Sequence, residues 1–205
     1  GTRMTSSFHF CGGDAFDASN IRVKKDCDPL GCIGDLTWYQ VRAMVYLLGE
    51  VPTGVSAFAH KRSADGVITS ASGTLFFKSG VFGTFDCGFD THLRQVIQVS
   101  GTKATLACSD FVLVKTASES TYTIGTMDFQ DGYGPKGHEL VDKVEVLQGG
   151  GCCQELRMLE RMRDIARSDK LEEEWPQLAL TTQRVCDAAK QSCDSGEGGK
   201  MVSVV

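Results

Sequence analysis

Asp35, Tyr39 and Arg42 are the residues whose types and spacing point most directly to chemistry. Spacings of four and then three place carboxylate, phenol and guanidinium on one face of a helix. Reducing a carbonyl to an alcohol needs a proton donor beside the reacting oxygen, and a phenol becomes a better acid when a cation stands near it. Tyr39 is the expected donor and Arg42 the expected cation. Asp35 also has a simpler use, because a carboxylate at the amino end of a helix is favoured by the dipole by about 0.3–1 kcal/mol. His92, in FDTHLRQ, is expected either to line a site or to cap an exposed turn. His138 lies in a glycine-rich stretch with no second ligand at metal spacing, and His9 and His60 alternate with apolar strand residues as structural histidines do. No His or Cys pair makes a metal motif, so no metal is expected. G-x-S-x-G is absent, as is G-x-G-x-x-G after a strand. The glycines at 149–151 lack both the P-loop lysine and the dinucleotide-binding spacing.

The elements that must carry these residues are legible in outline. DLTWYQVRAMVYLL, from Asp35 to Leu48, has no Gly or Pro, stops at Gly49 and is apolar nearly all round, which predicts a helix buried on most of its surface. RMTSSFHF predicts a first strand, followed by a turn-rich loop. After Pro52 come runs rich in β-branched and aromatic residues, VSAFAH, VITSASGTLFF, VFGTFDCGFD, RQVIQVS, ATLAC, FVLVK and TYTIGTM, all expected as antiparallel strands. In the third of these, Val81, Gly83, Phe85, Cys87 and Phe89 alternate with Phe82, Thr84, Asp86 and Gly88, the pattern of a sheet packed on one face. FQDGYGPKGH is expected as a long loop before the strand ELVDKVEVL. Helical periodicity returns from about Cys152, with Met158, Met162, Ile165 and Ala166 as core packing, and again from Trp175-Pro176, with Leu178, Val185, Cys186 and Ala189 inward. The expected organisation is one domain over 1–193 and a flexible tail over 194–205, whose apolar VSVV could dock as an extra strand on a partner.

Composition narrows the function classes. A chain of 205 residues with 41% apolar side chains can bury one substantial core. Its net charge of −5, with scattered basic residues, argues against nucleic acid as a partner. No apolar run approaches the ~20 residues of a spanning helix. Nine cysteines, odd in number and without C-x-x-C, predict a soluble protein of a reducing compartment. Cys152, Cys153, Cys186 and Cys193 are expected to pack as small hydrophobes.

The stretch IRVKKDCDPLGCIGDLTWYQVRAMVYLL resembles the G-G-x-L-x-D-x-G-x-[HY] region of the glucose-fructose oxidoreductase, inositol dehydrogenase and rhizopine catabolism (Gfo/Idh/MocA) family, nearest to its plant-type branch. ASGTLFFKSGVFGTFDCGFDTHLRQVIQVSGTKATL is similar to that family's sheet and WPQLALTTQRVCDAAKQS to its closing helix. The resemblance implies an α+β fold, a large, mostly antiparallel open sheet with helices on one face, without the family's N-terminal Rossmann domain and its catalytic lysine. It implies Tyr39 and Asp35 as catalytic residues, with Arg42 and His92 as substrate contacts. Thr37 replaces the family's usual glycine, and Arg42 stands where many members carry Asp or Asn. NAD(P) would be bound by a full-length parent and no cofactor by this chain alone. The expected function is the substrate-binding and oligomerisation half of a sugar or diol oxidoreductase from a photosynthetic eukaryote, and the plant-type resemblance implies cytoplasm or plastid stroma. Dimers would form through the sheet face that the helices leave open, with Phe76, Phe82 and Val99 as contributors. The alternative is a non-catalytic scaffold that binds another protein on that face.

Overall fold

The computed structural model describes residues 1–11, 17–114, 119–129, 135–146, 154–196 and 199–204. The β-branched and aromatic runs form β1 (Arg3–His9), β2 (Gly54–Arg62), β3 (Ile68–Phe76), β4 (Phe82–Gly88), β5 (Arg94–Ser100) and β6 (Thr105–Cys108). A hairpin of β7 (Glu119–Phe129) and β8 (Pro135–Val146) and a two-residue β9 (Val202–Ser203) complete one nine-stranded sheet, ordered β8-β7-β6-β5-β1-β4-β3-β2-β9. All pairings are antiparallel except β1 with β4. That parallel pair exists because a helical crossover separates β1 from the β2-β3-β4 meander, which parallel neighbours require.

The crossover is a π-helical turn, Ile33–Thr37, running into α1 (Trp38–Leu48) and ending at Gly49 with φ 62°. With α3 (Glu174–Cys193), it covers one face of the sheet. Period-two alternation turns Met4, Phe8, Val55, Ala57, Ala71, Leu75, Phe85 and Cys87 into this layer. They meet Ile33, Leu36, Val41 and Met44 from the crossover and Val185, Cys186 and Ala189 from α3. Each fully buried Leu, Ile or Met contributes about 1.5–3 kcal/mol. Gly73 and Gly83 let the layers close, since a Cβ at Gly83 would stand 2.6 Å from the Met44 sulfur.

The opposite face is polar. One register row runs Ser56, Thr74, Thr84, Thr5, Gln98 across five strands, and the next pairs Phe76 with Phe82 beside Arg3, whose guanidinium lies 4.3 Å from the Phe82 ring. Phe76 and Phe82 therefore stand on the open face, as expected. Val99 packs against the core on the helix-covered side, because it is an odd number of residues from Gln98 on the same strand.

Several expectations are corrected. FVLVK is not a strand over its described residues: the Gln95 side chain takes the place of a strand partner, donating to the Leu113 carbonyl at 2.8 Å and accepting from its amide at 2.6 Å. FQDGYGPKGH is not one long loop, since Pro135, Gly137 and His138 pair with β7; the connection at 130–134 lies outside the described residues, as do the glycines at 149–151 and Cys152 and Cys153. α1 is amphipathic rather than buried all round, with Tyr39, Tyr46 and Leu47 exposed. α2 (Gln154–Ala166) does not pack its methionines: Met158 and Met162 are exposed, because α1 and α3 already fill the helix layer and α2 packs closely on no other described element. The end of the expected tail is β9, held on β2 of its own chain, with Met201 against Gly54 and Gly199 against the Phe58 ring.

Candidate functional site

Asp35 projects from the π-turn that leads into α1. The left-handed Gly31 (φ 58°) sets up this turn: its amide donates to Asp28 Oδ1 at 2.9 Å and its carbonyl accepts from the Asp35 amide at 3.0 Å. Arg22, from a short 3₁₀ turn at Ile21–Val23, donates from Nε to Asp35 Oδ2 at 2.6 Å. Both side chains are part-solvated, so the pair is worth under about 1 kcal/mol and its effect is to orient the carboxylate, leaving Oδ1 open among the described residues. The Arg22 guanidinium lies 5.8 Å from the Phe10 ring. Phe8, two residues earlier and hence on the same face, meets Tyr39 edge-on with centroids 5.8 Å apart at 74°. Tyr39 is 43% exposed, and no protein group among the described residues takes up its hydroxyl. Arg22, which holds Asp35, and Tyr39 thus each touch one of two rings, Phe10 and Phe8, that lie two residues apart.

Arg42 does not join them. Its guanidinium lies 5.5 Å from the Trp38 ring and 5.4 Å from that of Trp175 on α3, where burial pulls its pKa below the usual value. The cation intended for Tyr39 is spent on stacking α1 against α3. His92 is exposed in the turn between β4 and β5. Thr37, in place of a glycine, is buried and donates to Cys87 Sγ at 3.1 Å, so the departure is absorbed by the core.

Cys87 in turn donates to Cys32 Sγ at 3.5 Å, with Cys186 and Cys193 nearby on α3. The hydrogen bond to Cys87 and burial push the Cys32 thiol well up. Burial pushes Cys186 up to about 12 and Cys193 up to about 11. All seven described cysteines are free, and thiolate is the reactive form. At about pH 8, alkylation read by peptide mass mapping is therefore expected to mark the exposed Cys11 and Cys27 at least ~100-fold faster than these four. Equal rates would contradict the packing described.

On the open face, Asp86 Oδ2 accepts from Ser7 Oγ at 2.8 Å and from His9 Nε2. His60 Nε2 meets Ser72 Oγ at 2.7 Å, so both strand histidines have partners. Burial alone would raise the Asp86 pKa, but the hydrogen bonds from His9 and Ser7, with the charges of His9 and Arg94, hold it below its usual value. A folded value below the unfolded one means stability fully present above the unfolded carboxylate range and lost as pH falls through the folded value. Between about pH 5 and pH 3, the melting temperature of Asp86→Asn is expected to fall less steeply than that of the parent. Parallel curves would remove Asp86 from the acid response.

Phe8 and Phe10 were not singled out from the sequence, although their spacing of two in the first strand is the signal that puts them on one face. Arg22 and Asp86 were not, because loop and cross-strand partners leave no periodic signal.

Residues 2–107 match the model of the GFO/IDH/MocA C-terminal domain. A 3-ketoreductase from Actinomadura kijaniata, solved with NADP and TDP-benzene, superposes with a TM-score of 0.77 at 17% identity over 93% of this chain and 53% of its own. For an aldose-aldose oxidoreductase from Caulobacter crescentus, complexed with glycerol, the values are 0.74, 18%, 98% and 55%. A levoglucosan dehydrogenase in complex with NADH and L-sorbose gives 0.71, 13%, 99% and 58%. At these identities the likeness is one of fold. The chain spans little more than half the length of each of these structures.

Proposed function

The chain belongs to the GFO/IDH/MocA family as a C-terminal domain of that kind, and on this premise we propose that it forms the substrate-binding half of an NAD(P)-dependent oxidoreductase acting on a sugar, diol or similar polyol. What supports this reading is that Asp35 is held by Arg22, which lies over Phe10, while Tyr39, its hydroxyl unclaimed among the described residues, meets Phe8 two residues away.

Bound nicotinamide supplies or accepts the hydride in such enzymes. The described residues do not fit that cofactor by themselves, since no turn of dinucleotide-binding glycine spacing joins a described strand to a helix. We assign this chain the substrate side. Tyr39 gives its proton to the substrate oxygen during reduction and takes one back during oxidation. Asp35 accepts a hydrogen bond from a neighbouring substrate hydroxyl through Oδ1. The rings of Phe8 and Phe10 receive the C–H face of the substrate and exclude water from one side. His92 and Arg42 lie outside this contact, in the turn between β4 and β5 and over the tryptophans.

Self-association belongs to the same reading and falls on the open face, where Phe76 and Phe82 lie among hydroxyl-bearing neighbours. The plant-type branch and a cytoplasmic or plastid setting rest on the sequence resemblance alone. The scaffold alternative gains nothing from the matched structures, which are described as oxidoreductases, reductases or dehydrogenases. No helix of the described residues is long and apolar enough to cross a membrane.

Saturation-transfer NMR of the chain with aldoses, polyols and vicinal diols is expected to detect binding that Asp35→Ala weakens by about tenfold, the loss of one charge-assisted hydrogen bond. Failure to bind any of them, or binding indifferent to Asp35→Ala, would sink the assignment.

A further inference from the structure

We propose that the cleft on the far side of the Ile21–Val23 turn holds an anionic group, phosphate or carboxylate, of the substrate at Tyr39, so that the substrate class is a phosphorylated or acidic sugar; this deepens the reading given above and rests on it. The cleft measures about 580 Å³, within the range of small-molecule sites. Lys24 enters its wall from the turn, Lys61 and Arg62 from the end of β2, Thr69 from β3, and Phe89 and Asp90 from the end of β4.

The free polar groups in this wall are mostly donors. Lys24 and Lys61 make no ion pair with other described residues. Arg62 is committed, donating to Asp194 Oδ1 at 2.7 Å and to the carbonyls of Cys193 and Gly66. Thr69 is only 9% exposed, yet its hydroxyl has no hydrogen-bond partner. A buried hydroxyl without a partner is costly, and two lysines lining the same cleft suit a ligand rich in anionic oxygens. One carboxylate that could compete, Asp65, already accepts from the Lys25 amide at 2.6 Å. Asp90 remains to receive a sugar hydroxyl. Lys24, Lys61 and Arg62 converge here in a chain of net charge −5, so the cluster does not follow from overall composition.

The cleft and the Asp35 site share the Ile21–Val23 turn. Arg22 faces Asp35 from the same turn that puts Val23 and Lys24 into the cleft wall. Phe89 in that wall packs edge-on to Phe10, with centroids 5.4 Å apart, and Phe10 is the ring beneath Arg22. One ligand can therefore present its ring to Tyr39 and its charge to Lys24 and Lys61.

The test is calorimetric titration of the chain with glucose, glucose 6-phosphate, glucuronate and inorganic phosphate, repeated on Lys24→Gln/Lys61→Gln and on Asp35→Asn. Both lysines are exposed, so the double variant should fold, which circular dichroism checks. At least one anionic sugar is expected to bind about tenfold or more tightly than glucose, the worth of a charge-assisted contact, with that advantage lost in the double lysine variant. Whether glucose 6-phosphate or glucuronate leads identifies the group. Anionic sugars binding no better than glucose, or an advantage that survives the double variant, would overturn the proposal. Inorganic phosphate bound through the lysines, with every sugar rejected, would keep the anion cleft and remove the sugar-oxidoreductase reading instead.

Discussion

Tyr39→Phe in the full-length parent is expected to lower kcat by ~100-fold or more and to leave KM nearly unchanged, because the ring and its packing remain and only the transferable proton is lost. The phenyl ring keeps its edge contact with Phe8, so that packing is preserved. Steady-state rates with a sugar or diol substrate over a range of pH check this. Unchanged turnover would assign the proton to water or to a group outside this chain. Arg42→Gln is the informative companion. The guanidinium is held by Trp38 and Trp175, so its removal should loosen α1 against α3 and lower the melting temperature, with a smaller effect on kcat than Tyr39→Phe has. Equal losses of kcat in the two variants would restore the view that Arg42 tunes the phenol.

Gly31→Ala carries the largest expected effect on stability. At φ 58° an L side chain is already strained, and the new Cβ would lie 2.2 Å from the Ile68 carbonyl oxygen and 2.7 Å from Val67 Cγ1. Strain and steric displacement together should cost about 3 kcal/mol or more, which for a domain of this size lowers the melting temperature by about 10 °C. Gly49→Ala is the control. That glycine has nearly the same φ, 62°, but nothing within 4 Å of the added atom, so only the conformational cost of about 1 kcal/mol remains. Similar losses at both positions would show that the contact with β3 is not the source. Because the Gly31 carbonyl receives the Asp35 amide, the variant should also weaken sugar binding beyond what its stability loss explains.

The sequence by itself determined the α+β class, most of the strands, and the helix that carries Asp35 and Tyr39, since hydrophobic periodicity, β-branched runs and glycine stops are local signals. What spacing could not decide is which neighbour claims each polar side chain. Arg42 and Tyr39 satisfy a helical contact pattern, yet Trp175, far along the chain, takes the guanidinium, while Arg22 from an irregular loop takes Asp35. The exposed methionines of α2 show the same limit, because an amphipathic stripe says that a face wants cover and not that the fold provides it. Gln95 standing in for a strand partner, Cys87 satisfying Thr37, and the one cleft that Lys24, Lys61 and Thr69 line join residues that only the sheet register and the crossover bring together. Local propensity reaches a few residues along the chain. Hydrogen bonds, ion pairs and clefts are closed by segments tens of residues apart, so the tertiary structure alone decides them.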